Sequence, residues 1–411
     1  MNLLTIINSK FLENKTNLYF FIFLISAISR SIIAYFFGDR VLENEWGVLV
    51  YNLYNFGEFS LLKFNDLFIP NLWMPPIYGY FIYIHALIFG LNDNLITSVI
   101  ITQIILSSLT SVIFFKLLLN FFKKKLSLFG AITFSLFPII IFAPSQISSV
   151  TIYLFLFISF FFLFFRLTKN QSNKNLILVA IISGVLMLTR RDFILIYLFS
   201  IFFLILFFKA DFKKMILLFL LTTLTISPYL IRNYFAFDKV IIHSGFGYNL
   251  WKSYNPEAKV EGTLEGIYDN DLKQKIDKIE KNILYRINHD KIFLNTAKKF
   301  ILDDPSRYIN LFFKRIYSFY FFDNNSSQKN YYSFFHIYPN SIIAILSIFG
   351  LIVCSKKNKE YNYLILSLIL LILVYSSFSI LPRYKIYILP FQIILSLSLL
   401  EFFINKLSKK N

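Results

Sequence analysis

Residues 148–165 read SSVTIYLFLFISFFFLFF and contain no charged side chain. An uninterrupted apolar run predicts a helix that crosses a membrane, because a span needs roughly 20 such residues. The same pattern recurs along the chain and predicts about ten spans in total. The other nine stretches are Leu18–Phe37, Leu95–Leu119, Leu126–Phe142, Leu176–Leu188, Phe193–Phe208, Met215–Ile231, Ile337–Cys354, Tyr361–Ile380 and Tyr384–Phe403.

The composition agrees with a chain that folds in lipid. The 411 residues are 57% hydrophobic and 16% charged, whereas soluble domains average about 45–50% and 25%. The net charge of +18 does not indicate a nucleic-acid partner, because the basic residues cluster between apolar blocks. The single cysteine, Cys354, excludes an internal disulfide.

One apolar stretch, Ile77–Phe89, is too short for a normal span and follows two prolines. If it does not cross, the lysine-rich loops all fall on one side, which the positive-inside rule makes cytoplasmic. We therefore expect both chain ends in the cytoplasm and this stretch as a juxtamembrane helix on the outer face. The basic loops are those around Lys10 and Lys15, Lys123–Lys125, Arg166–Lys174, Lys209–Lys214, Lys356–Lys359 and Lys406–Lys410.

The predicted fold class is mainly α: a polytopic transmembrane helical bundle with a small mixed domain on the outer face. Residues 1–231 are expected to form an N-terminal transmembrane module that includes the juxtamembrane helix (77–89). Residues 232–335 are expected to form an outer-face soluble domain, and residues 336–411 the C-terminal transmembrane helices. We call 38–76 the first outer segment and 232–335 the second outer segment, after their predicted side.

Apolar spacing within the second outer segment predicts a helix over Asp271–Leu302. Asp304-Pro305 should end it, and Tyr308–Phe322 should form an amphipathic helix on the membrane surface.

Three carboxylates follow the first span, namely Asp39, Glu43 and Glu45. They could act as a general base or hold a cation, whereas composition alone favours an ordinary solvated loop with acidic residues. If Glu43–Leu53 is one helix, Glu43 and Glu45 lie about 200° apart, so only one of them should face a cleft.

Arginines provide a second signal. Arg30 lies inside the first span, where a charge costs roughly 2.5–3.5 kcal/mol. Arg190, Arg191, Arg232 and Arg383 fall at predicted outer helix ends, against the usual charge bias. Each could snorkel to lipid head groups, but together they indicate an anionic ligand, since the arginine fork matches phosphate. We expect Arg190, Arg232 and Arg383 to converge on one outer site.

The second outer segment opens with SGFGYNLWKSYNP (244–256). Its aromatic rings and amides are typical of a sugar-binding surface and equally typical of an ordinary aromatic turn. No Ser-His-Asp arrangement, Cys/His metal cluster or phosphate loop is recognisable. His85, His243, His289 and His336 are scattered and are expected to be structural or surface residues.

Taken in order, these features resemble the polyprenyl-phosphate-sugar-dependent glycosyltransferases of the C superfamily (GT-C). The family-39-like branch, related to protein O-mannosyltransferases and lipid A aminoarabinose transferases, is the most similar. Members usually have Asp where this chain has Leu42, which leaves the identity of the base open. The matching stretches are Arg30, Glu43-Asn44-Glu45-Trp46, Tyr51-Asn52-Leu53, Gly57, Met74-Pro75-Pro76-Ile77-Tyr78, Leu188-Thr189-Arg190, Ser227–Asn233, Tyr248–Trp251, Asn255-Pro256, Arg383-Tyr384 and Leu389-Pro390-Phe391.

The resemblance implies an inverting glycosyltransferase in the bacterial inner membrane, with its site on the periplasmic face. Its partners would be a polyprenyl-phosphate-linked sugar, membrane lipid and an acceptor that is an envelope lipid, glycan or protein, but no nucleic acid. No cofactor or metal is expected, although the outer carboxylates leave room for a divalent cation. The implied site residues are Glu43, Glu45 and Asp39 for catalysis, Arg383, Arg232, Arg190 and Arg30 for the donor phosphate, and Asn249, Trp251, Asn255 and Tyr78 for sugar or acceptor.

Two other classes of function stay open. A lipid or glycan transporter should have polar residues along a path through the membrane, and the middle spans here are nearly free of charge. A non-catalytic envelope assembly protein should tolerate loss of the outer carboxylates.

Overall fold

The structure is a computed structural model, and it describes residues 15–264, 270–323, 333–354 and 358–408. Residues 15–237 contain ten α-helices and one hairpin. They are α1 Lys15–Phe37, α2 Glu45–Phe56, β1 Ser60–Phe64, β2 Leu67–Pro70, α3 Pro76–Phe89, α4 Asp93–Leu118, α5 Lys124–Ser135, α6 Pro138–Phe142, α7 Val150–Lys169, α8 Asn173–Thr189, α9 Phe193–Phe208 and α10 Phe212–Phe237.

The rest of the described chain is also helical. A 3₁₀ helix, Pro382–Tyr387, precedes the last helix. The α-helices are α11 Phe246–Tyr254, α12 Asn270–Asp277, α13 Tyr285–Asp303, α14 Pro305–Tyr320, α15 Phe334–Cys354, α16 Lys359–Ser376 and α17 Leu389–Ser408.

The predicted spans are confirmed as helices. Within the described ranges, seven helices are long and apolar enough to cross a membrane, and the bent pair α5–α6 adds an eighth. The shorter apolar helices α8 and α9 coincide with the two remaining predictions. Exposed rings on α1, such as Phe20 (64%) and Phe36 (68%), suit a surface that faces lipid. The protein is a multi-pass membrane protein. Its orientation, and the outer position of α3, stay predictions.

The third predicted span, Leu126–Phe142, is broken. Its two halves, α5 and α6, meet at an angle of 58°. The break precedes Pro138, which lacks an amide N–H and disfavours helical geometry in the residue before it. A 3₁₀ turn, Ala143–Ser145, follows and packs against α1, α4 and α7.

The secondary structure of the two outer segments differs from the expected one. The strands β1 and β2 lie in the first outer segment, where they pair antiparallel around a tight turn at Asn65. The described part of the second outer segment contains helices instead of a mixed fold. The predicted helix Asp271–Leu302 is two helices, because the Asn282 side chain accepts a hydrogen bond from the Leu284 amide and forms a local turn. The break at Asp304-Pro305 is confirmed.

The bundle is closed by neighbouring helix pairs. Helix α1 packs on α4, α4 on α7, α7 on α8, and α8 on α10. Helix α15 lies against α17 at Gly350, where an added Cβ would overlap the Leu395 carbonyl oxygen. The 3₁₀ helix that precedes α17 contacts both α6 and α14.

Candidate active site

A cavity of about 680 Å³ lies between the two outer segments. Two of the predicted carboxylates, Glu43 and Glu45, line one wall, and Arg286 and His289 of α13 line another. We call it the carboxylate cavity. Its remaining lining residues are Asn44, Val48, Leu61, Trp73 and Tyr248.

Both glutamates line the carboxylate cavity, which corrects the expectation that only one would. Helix α2 begins at Glu45, so Glu43 lies before the helix and the 200° argument does not apply. Asn44 caps the helix, since its Oδ1 accepts from the Trp46 amide at 3.0 Å. Its Nδ2 donates to the Ile147 carbonyl at 3.3 Å, which fixes the carboxylates relative to the bundle.

The opposite wall was missed by sequence reasoning. The Arg286 guanidinium lies 5.2 Å from the Trp73 ring centroid, and the Trp73 and Tyr248 rings meet edge to face at 4.8 Å. Asp290 accepts from the Tyr248 amide at 2.9 Å and so holds α11 against α13. The i, i+3 spacing of Arg286 and His289 was the available signal, because it places both on one helical face.

The pKa of Tyr248 links the two walls. Burial raises this pKa, Arg286 opposes the increase, and Glu45 adds to it. The Tyr248 hydroxyl is therefore within the electrostatic influence of Arg286 on one wall and of Glu45 on the other.

A second cavity, of about 190 Å³, adjoins the first across Asn44, which lines both. Asp39 and Arg383 line it together with Gln146 and Ser148, and we call it the arginine cavity. Asp39 Oδ2 accepts from the Ile147 amide at 2.6 Å, so this carboxylate is partly engaged by the backbone.

Arg190 and Arg383 meet around one tyrosine. Their guanidinium carbons lie 5.1 Å and 5.9 Å from the Tyr384 ring centroid. Arg190 also donates to the Tyr387 hydroxyl at 3.0 Å and pairs with Asp192 at 3.2 Å. Two of the three arginines expected at one site are therefore neighbours.

Arg232 has other partners. It donates to the Asn71 carbonyl at 3.1 Å and to Asn233 Oδ1 at 2.8 Å. Asn71 Oδ1 in turn accepts from the Trp73 amide at 3.0 Å. Arg232 thus supports the Trp73 wall of the carboxylate cavity, which corrects the expected three-way convergence.

Arg30 is fully buried inside the bundle and lines neither cavity. Its guanidinium donates to Ser107 Oγ at 2.7 Å, to Ser111 Oγ at 3.2 Å and to the Ser135 carbonyl at 3.1 Å. Ser135 ends α5, and the last carbonyls of a helix lack intrahelical donors. The structure corrects the expected phosphate role: Arg30 joins α1 to α4 and to the broken span.

Four residues expected to bind sugar or acceptor have internal partners instead. Trp251 is fully buried against Phe293, 4.8 Å between ring centroids. Asn255 is buried and donates to the Thr263 carbonyl at 3.0 Å, and Asn249 donates to Gly245. Tyr78 is buried too, with its hydroxyl on Gln103 at 2.9 Å. None of the four lines either cavity.

The possibility of a bound metal cation concerns the outer carboxylates and the rest of the described part of the chain. Among the described residues, no group of three or more His, Cys, Asp or Glu side chains is placed to hold a metal ion. The absence of a cofactor requirement stays a prediction.

Two histidines predict a loss of stability in mild acid. Burial and Arg286 lower the pKa of His289 to about 4, and burial and Arg191 lower that of His243 to about 3. Unfolded histidine titrates near 6.5, so falling pH protonates the unfolded state first. We expect the thermal unfolding midpoint, measured in detergent, to decrease as the pH is lowered from 7.5 to 5.5. His289→Gln and His243→Gln should each reduce this fall, and an unchanged pH profile in both variants would contradict the assignment.

Comparison with known proteins agrees with this architecture. Residues 74–231 match the family model described as dolichyl-phosphate-mannose-protein mannosyltransferase. The oligosaccharyltransferase of Archaeoglobus fulgidus, tethered to an acceptor peptide, superposes with a TM-score of 0.57 at 14% identity, covering 96% of this chain and 50% of that one. This chain has a GT-C fold.

Another structure of the archaeal enzyme, AglB with an inhibitory peptide and dolichol-phosphate, gives a TM-score of 0.55 at 14% identity, covering 95% of this chain and 50% of that chain. The chain thus spans about half the length of these relatives. ArnT from Cupriavidus metallidurans, bound to undecaprenyl phosphate, gives 0.39 at 10% identity, covering 93% of this chain and 77% of that chain, which is too low to establish a shared fold. No curated protein sequence matches significantly.

Proposed function

We propose that the protein is an inverting glycosyltransferase that moves a sugar from a polyprenyl-phosphate donor to an acceptor at the periplasmic face of a bacterial inner membrane. The observation that carries the proposal is the pair of adjoining cavities. One holds two glutamates, the other holds Arg383, and Asn44 separates them. The family model matched by residues 74–231 supports a polyprenyl-phosphate sugar as the donor class.

In this proposal the donor phosphate lies in the arginine cavity. When the bond between the anomeric carbon and the phosphate oxygen breaks, a phosphodiester becomes a monoester and gains negative charge. Arg383 stabilises that charge through its guanidinium, a planar donor that matches phosphate. Arg190 lies behind Tyr384 and adds positive potential, while its ion pair with Asp192 fixes its position.

The acceptor lies in the carboxylate cavity. Its hydroxyl oxygen attacks the anomeric carbon from the side opposite the phosphate, so the configuration inverts. The hydroxyl proton passes to the carboxylate of Glu45 or Glu43, which acts as general base. Asp39 lies with the phosphate instead, where its bond to the Ile147 amide orders the wall between the cavities.

The direct test is to incubate the purified protein with a panel of polyprenyl-phosphate sugars and measure release of polyprenyl phosphate. We expect release with one sugar class and a product of inverted anomeric configuration. A retained configuration would overturn the mechanism. Absence of release across the panel, with envelope lipids and glycans supplied as acceptors, would overturn the proposed activity.

Arg383→Lys should weaken use of the donor more than it weakens folding. A lysine keeps the charge but loses the bidentate fork, which at a phosphate site is not a conservative change. We expect about a tenfold or greater loss in kcat/KM for the donor, corresponding to roughly 1.4 kcal/mol. The thermal unfolding midpoint should stay near that of the wild type. An equal loss of stability and activity would assign Arg383 to packing.

A further inference from the structure

Arg286 is the feature of the carboxylate cavity that the reaction above does not use. It projects from α13 and is half-buried, with its guanidinium 5.2 Å from the centroid of the Trp73 ring. Among the described residues no hydrogen bond or ion pair joins this guanidinium. The N–H donors of its guanidinium therefore line the cavity without a hydrogen-bonding partner among the described residues.

Other arginines of the same region use their forks to hold the fold. Arg307 donates to the Asn255 and Ala258 carbonyls at 3.1 Å and 3.0 Å, and Arg315 donates to three carbonyls of the second outer segment. Arg191 contacts His243 at 3.0 Å. Arg286 has a cation–π contact with Trp73 but no hydrogen-bonding partner among the described residues, so its N–H groups are available to a ligand.

Negative and positive side chains lie on opposite walls of the carboxylate cavity. Glu43 and Glu45 line one wall, Arg286 lines the other, and neither glutamate lies within ion-pair distance of the arginine. An anion placed beside the glutamates would be repelled, whereas one placed at Arg286 would gain charge-assisted hydrogen bonds. A ligand with a hydroxyl at one end and an anion at the other is oriented by this arrangement. The volume of about 680 Å³ suits a ligand of one or two sugar units.

We propose that Arg286 binds a carboxylate or phosphate group carried by the acceptor and thereby directs the acceptor hydroxyl to the glutamates. This inference rests on the proposed function, because the ligand of this cavity is the acceptor only if the protein transfers a sugar. The donor phosphate occupies the arginine cavity beyond Asn44, so the wall that carries Arg286 belongs to the acceptor side. The Trp73 ring beneath the guanidinium restricts its motion and orients its fork.

The test measures binding without donor and without turnover. Purified protein in detergent is titrated calorimetrically with methyl glucoside, methyl glucuronide and glucose 6-phosphate, which distinguish a neutral, a carboxylate and a phosphate ligand. We expect at least one of the two anionic probes to bind about tenfold or more tightly than the neutral sugar. Arg286→Gln should abolish this preference, and Arg286→Lys, which keeps the charge without the fork, should reduce it.

Lys281→Gln is the matched control, because it removes one positive charge close to α13 from a side chain that does not line the cavity. The preference should persist in this variant. Equal affinity for all three probes in the wild type, or an unchanged preference in both Arg286 variants, would overturn the inference. Because no sugar transfer is measured, a failed donor panel overturns the proposed activity and leaves this result standing.

Discussion

Replacing Glu45 by Gln is expected to lower sugar transfer by about 10²–10⁴-fold, the usual contribution of a general base. Gln keeps the size and hydrogen bonding of the side chain but cannot accept the proton of the acceptor hydroxyl. Glu43→Gln is the alternative, since both carboxylates line the same cavity. The measurement is the rate of polyprenyl phosphate release at saturating donor.

Glu58→Gln is the control for this prediction. Glu58 is an exposed carboxylate of the same outer segment and lines neither cavity, so its loss should leave transfer unchanged. Full transfer by Glu43→Gln, Glu45→Gln and Asp39→Asn alike would show that no outer carboxylate is the base. That result would assign the proton transfer to another group and would leave the transfer activity itself standing.

Arg30→Ala is expected to destabilise the protein by about 2–5 kcal/mol, the range for emptying a fully buried site of this size. The change also removes donors from two serine hydroxyls and from the carbonyl that ends α5. Arg30→Met fills the volume and leaves only the unpaired acceptors, so its cost should be smaller, about 1–3 kcal/mol. Thermal unfolding in detergent and the yield of folded protein measure both effects.

The control for Arg30 is Arg40→Met, which removes an exposed arginine just beyond the same helix. It should leave the unfolding midpoint near that of the wild type. The folded fraction of Arg30→Met should keep the wild-type KM for donor. A raised donor KM at normal stability would restore the phosphate role that the sequence suggested.

The transmembrane helices were predictable because lipid imposes a simple rule. In the bilayer core no water is available, so a segment must form its backbone hydrogen bonds internally. A sufficiently long apolar stretch therefore indicates a helix. That rule located all ten predicted segments, including the short helices α8 and α9. It did not locate the break before Pro138, because a proline within an apolar run is compatible with either a kink or a full stop.

The candidate site was predictable only in part. The carboxylates were found because charged residues directly after a span are conspicuous. Arg286 and Trp73 were missed because they come from distant stretches that only the folded chain brings together. Trp251 was misassigned because a buried aromatic and a sugar-stacking aromatic look the same in sequence, and only burial distinguishes them.

The bonds of Arg30 also bear on how the chain reaches the membrane. Its partners Ser111 and Ser135 follow 81 and 105 residues later. At a synthesis rate of about 5–20 residues per second, the first helix exists for on the order of ten seconds before its partners emerge. A first helix already released into the bilayer would hold its guanidinium without Ser107, Ser111 and the Ser135 carbonyl during that interval. We therefore expect the first helix to enter lipid together with α4 and α5, so that insertion of these helices is cooperative.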